Sequence, residues 1–307
     1  MKTAVVTGNS GQDGTYLTEY LGKLGYQLVG VARGGPLDLS NRSHVAEFLD
    51  RVQPTEVYHL AAFHHAAEEK PLDDLELLTR SYEVHTLATA NLLEGIRSVS
   101  PHTRLFYAAS SHVFGTPPTP VQNEMTPLNP HGIYGITKQA GMKLCQYYRA
   151  QHHVFAAVGI LYNHESPLRR PTFVCKKIVQ AAVAIKTHKQ DNLVLGDLDA
   201  EIDWGYAGDY VAAMHLIVQQ PKPDDFVISS GQRHRVRDFV EQAFTRLGLD
   251  WKQNVTANPS LLRSATTPSL FGDSSKLRKQ TGWTPTTSFS ELVKLMVEAE
   301  LANNASH

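Results

Sequence analysis

Only two cysteines, Cys145 and Cys175, occur in 307 residues. They allow at most one disulfide and form no CxxC pair, so a disulfide scaffold, a cysteine zinc site and a dithiol redox motif are all excluded, and a reducing cytoplasm fits best. Charge of one sign is also missing. With 29 Lys+Arg against 30 Asp+Glu and a formal net charge of −1, there is no basic footprint for nucleic acid. No apolar run approaches the roughly 18 residues of a membrane span, and MKTAVVTG runs straight into a strand pattern without the apolar core of a secretory signal. Neither HExxH nor a carboxylate triad accompanies the 15 histidines, so the neighbouring pairs His64-His65 and His152-His153 predict no metal site. What is present is a neutral chain with 42% apolar residues, long enough for one large domain or two that share an interface.

Apolar β-branched runs alternate with helical patterns. Thr3 to Val6, Gln27 to Val31, Glu56 to Ala61, Leu105 to Ala109 and Val154 to Leu161 read as buried strands. Thr15 to Leu24, Ser43 to Val52, Tyr82 to Ile96 and the stretch after Tyr134 read as helices between them. That rhythm predicts βαβ units, and hence an α/β protein whose residues 1–161 form a Rossmann-type, doubly wound parallel sheet. After Asn163 the pattern shortens, and Pro, Asn and basic residues become more frequent. Residues 162–307 are therefore expected to form a smaller, mainly substrate-binding C-terminal domain, with part of 197–220, including a helix over Tyr206 to Gln219, packing back on the first.

Between the first strand and helix lies Thr7-Gly8-Asn9-Ser10-Gly11-Gln12-Asp13-Gly14, with glycines spaced GxxGxxG. Small residues are needed where the backbone turns sharply and approaches a pyrophosphate on the amide-rich end of a helix. An NAD site would place an acid at the end of the second strand, whereas this one ends Val31-Ala32-Arg33. NADP is the expected cofactor, with Arg33 on its 2′-phosphate and Asp38-Leu39 flanking the adenine.

The long helix begins Tyr134-Gly135-Ile136-Thr137-Lys138, which sets a phenol and an ammonium on one face. A neighbouring ammonium favours phenolate and lowers a phenol pKa that is ordinarily near 10, towards the range of a general base. Upstream, Ser110-Ser111-His112 ends a strand whose carboxyl edge faces the ligand crevice in this class of sheet.

The set TGNSGQDGTYL, HLAA, SSHVFG, YGITK, NHESP, DWGYAGDYV and GWTP resembles the extended short-chain dehydrogenases/reductases, and most closely the GDP-mannose 4,6-dehydratase family. GQDG and NHESP are its specific elements. The resemblance implies an NADP-dependent enzyme that converts a GDP-sugar to its 4-keto-6-deoxy form. Gly8, Gly11, Gln12, Asp13 and Gly14, Leu60, Ala61 and Ala62 of HLAA, and His164 and Arg169 would hold the cofactor. Tyr134 would take the proton of the sugar 4-hydroxyl as hydride passes from C4 to NADP, Lys138 would hold the nicotinamide ribose, and Ser110 would bond the 4-oxygen. Ser111 and Asn163 would lie on the substrate side. Lys177, with Lys176, and Arg263 are the cations expected at a diphosphate, since a buried anion needs paired donors. The family carries a glutamate two positions after its hydroxyl, where this chain has His112. It also departs at Ile202, Thr266 and His64-His65. A 4-keto-sugar-nucleotide reductase or 4-epimerase, or a catalytically impaired NADP-binding relative, are the alternatives. The helix after Lys138, with Met142, Leu144, Tyr147 and Tyr148, would form a core and subunit-contact face in a homodimer or homotetramer.

Overall fold

The computed structural model describes residues 1–64, 72–258 and 270–305. The chain runs β1 (Thr3–Thr7), α1 (Gln12–Lys23), β2 (Gln27–Val31), α2 (Arg42–Val52), β3 (Glu56–His59) and α3 (Asp74–Tyr82). A π-turn (Glu83–Leu87) leads to α4 (Ala88–Val99), followed by β4 (Arg104–Ser110), a 3₁₀ turn (Ser111–Phe114), α5 (Ile133–His152) and β5 (Ala156–Leu161). Then come β6 (Asn163–Glu165), α6 (Val174–Lys186), β7 (Leu193–Leu195), β8 (Glu201–Ile202), β9 (Trp204–Tyr206), α7 (Ala207–Val218) and β10 (Asp225–Ile228). The chain continues with β11 (His234–Arg235), α8 (Val236–Arg246), α9 (Trp251–Asn254), β12 (Val255–Ala257), α10 (Ser275–Thr281) and α11 (Phe289–Ala305).

The main sheet has six parallel strands in the order β2-β1-β3-β4-β5-β10. Side chains alternate across it, as the two-residue period of a strand requires. Val5, Val57, Leu105 and Val158 face Leu49 of α2, Leu92 of α4 and Met142 of α5. Their neighbours Ala4, Tyr58, Phe106 and Ala157 face Leu17 and Leu21 of α1 and Val211 and Met214 of α7. With both faces covered, the strands read as nearly continuous apolar runs. A separate core joins α6, α8 and α11 through Ile178, Phe239, Phe244, Leu292 and Met296. Burying each such side chain contributes about 1.5–3 kcal/mol, so this group has an apolar centre of its own. The return to the sheet is larger than expected, because β10 as well as α7 packs there.

Two elements differ from their sequence readings. The strand expected over Glu56 to Ala61 stops at His59, because Ala61 N donates to Thr7 Oγ1 at 3.2 Å and turns the chain away from the ladder. The single amphipathic stretch expected at Tyr82 to Ile96 is broken by the π-turn. There Thr89 Oγ1 and Tyr107 OH donate to the carbonyl of His85 at 2.7 and 3.2 Å, and Thr86 Oγ1 donates to the carbonyl of Thr137 at 3.1 Å.

Candidate active site

Strand order reverses around β1, with β2 on one side and β3 on the other, and ligands of such sheets sit at the carboxyl ends beside that point. The glycine turn lies there. Gly8 has φ +72°, and a Cβ on it would come within 2.9 Å of the Ala61 backbone, while one on Gly14 would lie 2.2 Å from the carbonyl oxygen of Gly8. Gly11 is the N-cap of α1 and brings no side chain onto the first-turn amides. Asn9 lies against Gly30 of β2, so close that a Cβ there would meet its amide at 2.3 Å, and its Oδ1 is buried without a hydrogen-bond partner. A close backbone turn, uncapped amides and an orphaned buried acceptor fit the pyrophosphate and adenosine of a dinucleotide. Sequence reading passed over Asn9, since nothing in GxxGxxG marks the intervening residues.

Gln12 and Asp13 turn towards the chain segment entering the second core. Gln12 Nε2 donates to the carbonyl of His164 at 3.0 Å, and Ser166 Oγ donates to Gln12 Oε1 at 2.8 Å. His164 Nε2 lies 2.9 Å from Asp13 Oδ2 and its Nδ1 lies 2.7 Å from the carbonyl of Tyr162. The specific motifs GQDG and NHESP therefore meet through four side chains. Burial opposes the charge on Asp13, but His164, Gln12 and Arg169 together outweigh it and hold the carboxyl below its ordinary range. Burial likewise opposes the charge on His164, and Asp13 raises its pKa above the ordinary imidazole value. The two shifts set a window: the depressed carboxyl loses its contribution as pH falls through its folded pKa, and the raised imidazole loses its own as pH rises from about 6.5 through its folded pKa. Asp13→Asn should cost about 3 kcal/mol of stability at neutral pH and flatten the alkaline fall, since one partner of a mostly buried pair is removed. Urea midpoints measured across pH would check this.

Arg33 is exposed just past β2. Asp38 Oδ1 accepts from Ser40 N and Oγ at 2.9 and 2.7 Å, and Leu39 packs partly against the sheet core. Leu60, Ala61 and Ala62 follow β3 beside the glycine turn. Arg169 pairs with Glu165 at 3.1 Å, and its guanidinium lies 3.6 Å from the Phe173 ring centroid. Its charge acts on both Asp13 and Tyr134.

Ser110 caps the 3₁₀ turn, accepting from His112 N at 3.3 Å. Tyr134 stands in the first turn of α5, and the Ser110 side chain works against burial to favour its phenolate. Lys138 Nζ donates to the carbonyl of Ala108 at 2.7 Å and lies 5.8 Å from the Tyr134 ring centroid. The serine, phenol and ammonium read from distant motifs are thus brought together at one strand edge. Their electrostatics differ from expectation. Burial pushes Tyr134 up to about 12 and Lys138 down to about 7. Desolvation disfavours both charged forms, and an ammonium titrating near neutrality lends the phenol little field.

Three imidazoles stand edge-on to Tyr134, with centroids at 5.1 Å for His85, 5.4 Å for His64 and 5.7 Å for His112. His112 is exposed at the rim, whereas His85 is fully buried. His64 also packs on Phe173 at 5.0 Å, and Arg170 Nη2 donates to its carbonyl at 3.0 Å. His85 had no sequence motif to announce it. An imidazole on the buried stripe of an otherwise apolar stretch was the only signal.

On the substrate side, Ser111 is buried, Asn163 opens β6 opposite Trp204 of β9, and Lys177 is half-buried in the first turn of α6. Lys176 is a correction: it is buried, 2.6 Å from Glu300 and 3.0 Å from the carbonyl of Pro167, so its charge serves the α6–α11 contact and not a diphosphate. Ile202 of β8 pairs with His234 of β11 and packs against the second core. Arg263, Thr266 and His65 lie outside the described residues.

A family model described as GDP-mannose 4,6 dehydratase matches residues 35–296. GDP-mannose 4,6 dehydratase 1 of Arabidopsis thaliana is 37% identical over 332 residues, covering 98% of this chain and 90% of that protein. The GDP-mannose 4,6-dehydratase of Vibrio cholerae is 31% identical, covering 100% of this chain and 95% of that protein. Among solved structures, RMD from Pseudomonas aeruginosa complexed with NADPH superposes with a TM-score of 0.86 at 20% identity, covering 99% of this chain and 100% of that one. The dTDP-glucose 4,6-dehydratase of Bacillus anthracis in complex with NAD gives 0.83 at 18%, covering 99% and 98%. The structural likenesses speak for the fold, which is the expected Rossmann type. The sequence likenesses go further: the chain belongs to the GDP-mannose 4,6-dehydratase family.

Proposed function

We propose that the chain is an NADP-dependent GDP-sugar 4,6-dehydratase acting on GDP-mannose or a close relative. The observation that carries this reading is the convergence of Ser110, Tyr134 and Lys138 on one strand edge beside the glycine turn. Bound NADP supplies the hydride acceptor for C4 and later the hydride donor for C6. Tyr134 takes the proton of the 4-hydroxyl, with Ser110 holding that oxygen. Lys138, which keeps or yields a proton near neutral pH, orients the nicotinamide ribose. Oxidation at C4 makes the C5 proton acidic by delocalising the resulting carbanion into the new carbonyl. His112 takes that proton and delivers one to the departing 6-hydroxyl, so water leaves. Return of the hydride to C6 and of a solvent proton to C5 gives the 4-keto-6-deoxy sugar, the proton on Tyr134 passes to solvent, and no net oxidation remains. Incubating the protein and NADP with GDP-mannose and other nucleotide sugars should give a product lighter by one water. Stoichiometric consumption of NADPH without loss of water would instead support the reductase, the reading favoured by His112 in place of the family's glutamate.

Arg33, exposed where the adenosine ribose is expected, supports NADP over NAD. Arg33→Ala should weaken NADP by about 10-fold or more, as loss of a charged hydrogen bond does, and leave NAD unchanged. Fluorescence titration would check this, and equal affinity of the wild type for both cofactors would refute it. The remaining cofactor residues are Gly8, Gly11 and Gly14 under the pyrophosphate and Leu60, Ala61 and Ala62 along the nicotinamide side. Gln12, Asp13, His164 and Arg169 hold the walls between them. Asn163, Ser111 and Lys177, with Arg263, are assigned to the nucleotide sugar.

Leu75, Leu78, Tyr82, Ile136 and Tyr147 are large apolar residues exposed on α3 and α5. A patch of this kind marks an interface, and an isologous homodimer through these helices would bury it. Free, buried Cys145 and Cys175 suit a reducing cytoplasm.

A further inference from the structure

His85 has no place in the chemistry just described, yet its ring lies nearer to the Tyr134 ring than any other imidazole among the described residues. It sits in the π-turn, an element that interrupts a helix by one extra residue and recurs at functional sites. Both ring nitrogens are engaged, in opposite senses. Phe63 N is 3.0 Å from Nε2, and an amide can only donate, so Nε2 is an acceptor. In the neutral ring Nδ1 then carries the proton and donates to Thr137 Oγ1 at 2.9 Å. Thr137 Oγ1 passes its own proton to the carbonyl of Ile133 or Tyr134, at 3.0 and 3.2 Å.

The direction of this chain of bonds is fixed by the Phe63 amide and ends on the helical turn that carries Tyr134. We propose that His85 is a positioning residue: its neutral imidazole locks the loop after Leu60-Ala61-Ala62 to the first turn of α5, and so sets the Tyr134 hydroxyl relative to the cofactor and sugar. The reading rests on Tyr134 as the proton-transfer group. The groups facing the ring are Lys138, His59, His64 and Tyr134. Burial first, then the Lys138 charge, drives His85 strongly towards the neutral form. Thr137, buried between Tyr134 and Lys138 in the sequence YGITK, is the lever through which the ring acts on the catalytic turn.

The test compares His85→Phe, which keeps a ring and loses both bonds, with His85→Asn, whose amide can again donate towards Thr137. His85→Phe should lower kcat by about 10- to 100-fold, the cost of a small misplacement of a reacting group, with the sugar KM and the NADP dissociation constant little changed. His85→Asn should recover much of that rate. Full activity in His85→Phe would overturn the proposal. So would a loss of rate that comes only with a matching loss of NADP affinity and melting temperature, which a purely structural residue would give. If His85→Phe fails to fold, Thr137→Val removes the same bond at constant shape and must lower kcat in the same way. Tyr134→Phe is assayed in parallel. If it keeps full turnover, the assignment of Tyr134 falls and takes the proposal with it. If it is inactive while His85→Phe and Thr137→Val are not, only the role of His85 falls.

Discussion

Tyr134→Phe should abolish turnover while NADP remains bound. The ring would stay seated among the edges of His64, His85 and His112, so packing in the first turn of α5 survives and only the hydroxyl goes. In the proposed mechanism that hydroxyl exchanges the proton with the sugar 4-oxygen while Ser110 holds it. Loss of a general acid–base group costs about 10²- to 10⁴-fold in rate, and C4 oxidation precedes every later step, so the whole dehydration should fall by at least that factor. The electrostatics sharpen the expectation. Burial holds the phenol up at about 12, so at neutral pH it is protonated before substrate arrives. Rate should therefore rise with pH in the wild type as the phenolate becomes accessible, and this limb should vanish in the variant. Single-turnover formation of NADPH, measured with cofactor titration on the same samples, checks both parts. A parallel loss of NADP affinity would make Tyr134 a structural residue.

The first half of the fold was legible because its strands carry their own signal. TAVVT and RLFYAAS are apolar on both faces and almost wholly buried, as strands of a covered parallel sheet are, whereas QLVGV at the sheet edge is only partly covered. The glycine turn was legible for a related reason, since Gly8 and Gly14 leave no room for a side chain. Ser110, Tyr134 and Lys138 were readable from motif spacing on one helix face and one strand end. What escaped depends on contacts between distant segments. The roles of Gln12 and Asp13 are set by His164 and Ser166, some 150 residues away, and the burial of Lys176 is set by Glu300 on the last helix. The pKa of Tyr134 failed for a simpler reason. Helical spacing conveys the nearness of Lys138 but not the loss of water around both groups, and desolvation dominates here. The π-turn depends on Tyr107 OH reaching the carbonyl of His85 and on Thr86 Oγ1 reaching the carbonyl of Thr137, which local periodicity does not encode.

His112→Ala should stop elimination while C4 oxidation persists, and this variant separates a dehydratase from a reductase. His112 is exposed and edge-on to Tyr134 at 5.7 Å, on the short turn that Ser110 caps. It is thus anchored to the residue assigned to the 4-oxygen. A neutral imidazole offers a ring nitrogen lone pair and can serve as a general base. If it removes the C5 proton, the wild type should release water and exchange the C5 hydrogen with deuterated solvent. The Ala variant should lose about 10²- to 10⁴-fold in dehydration and accumulate the 4-keto sugar with bound NADPH. His112→Glu should restore elimination, since a carboxylate can serve as the same general base. Mass spectra of products formed in deuterated solvent distinguish the outcomes. If His112→Ala costs little while wild-type product still carries solvent deuterium at C5, the base lies elsewhere. His64, on the adjoining edge of the same phenol at 5.4 Å, then becomes the residue to replace, and NADPH consumed in step with a 4-keto substrate would make the protein a reductase.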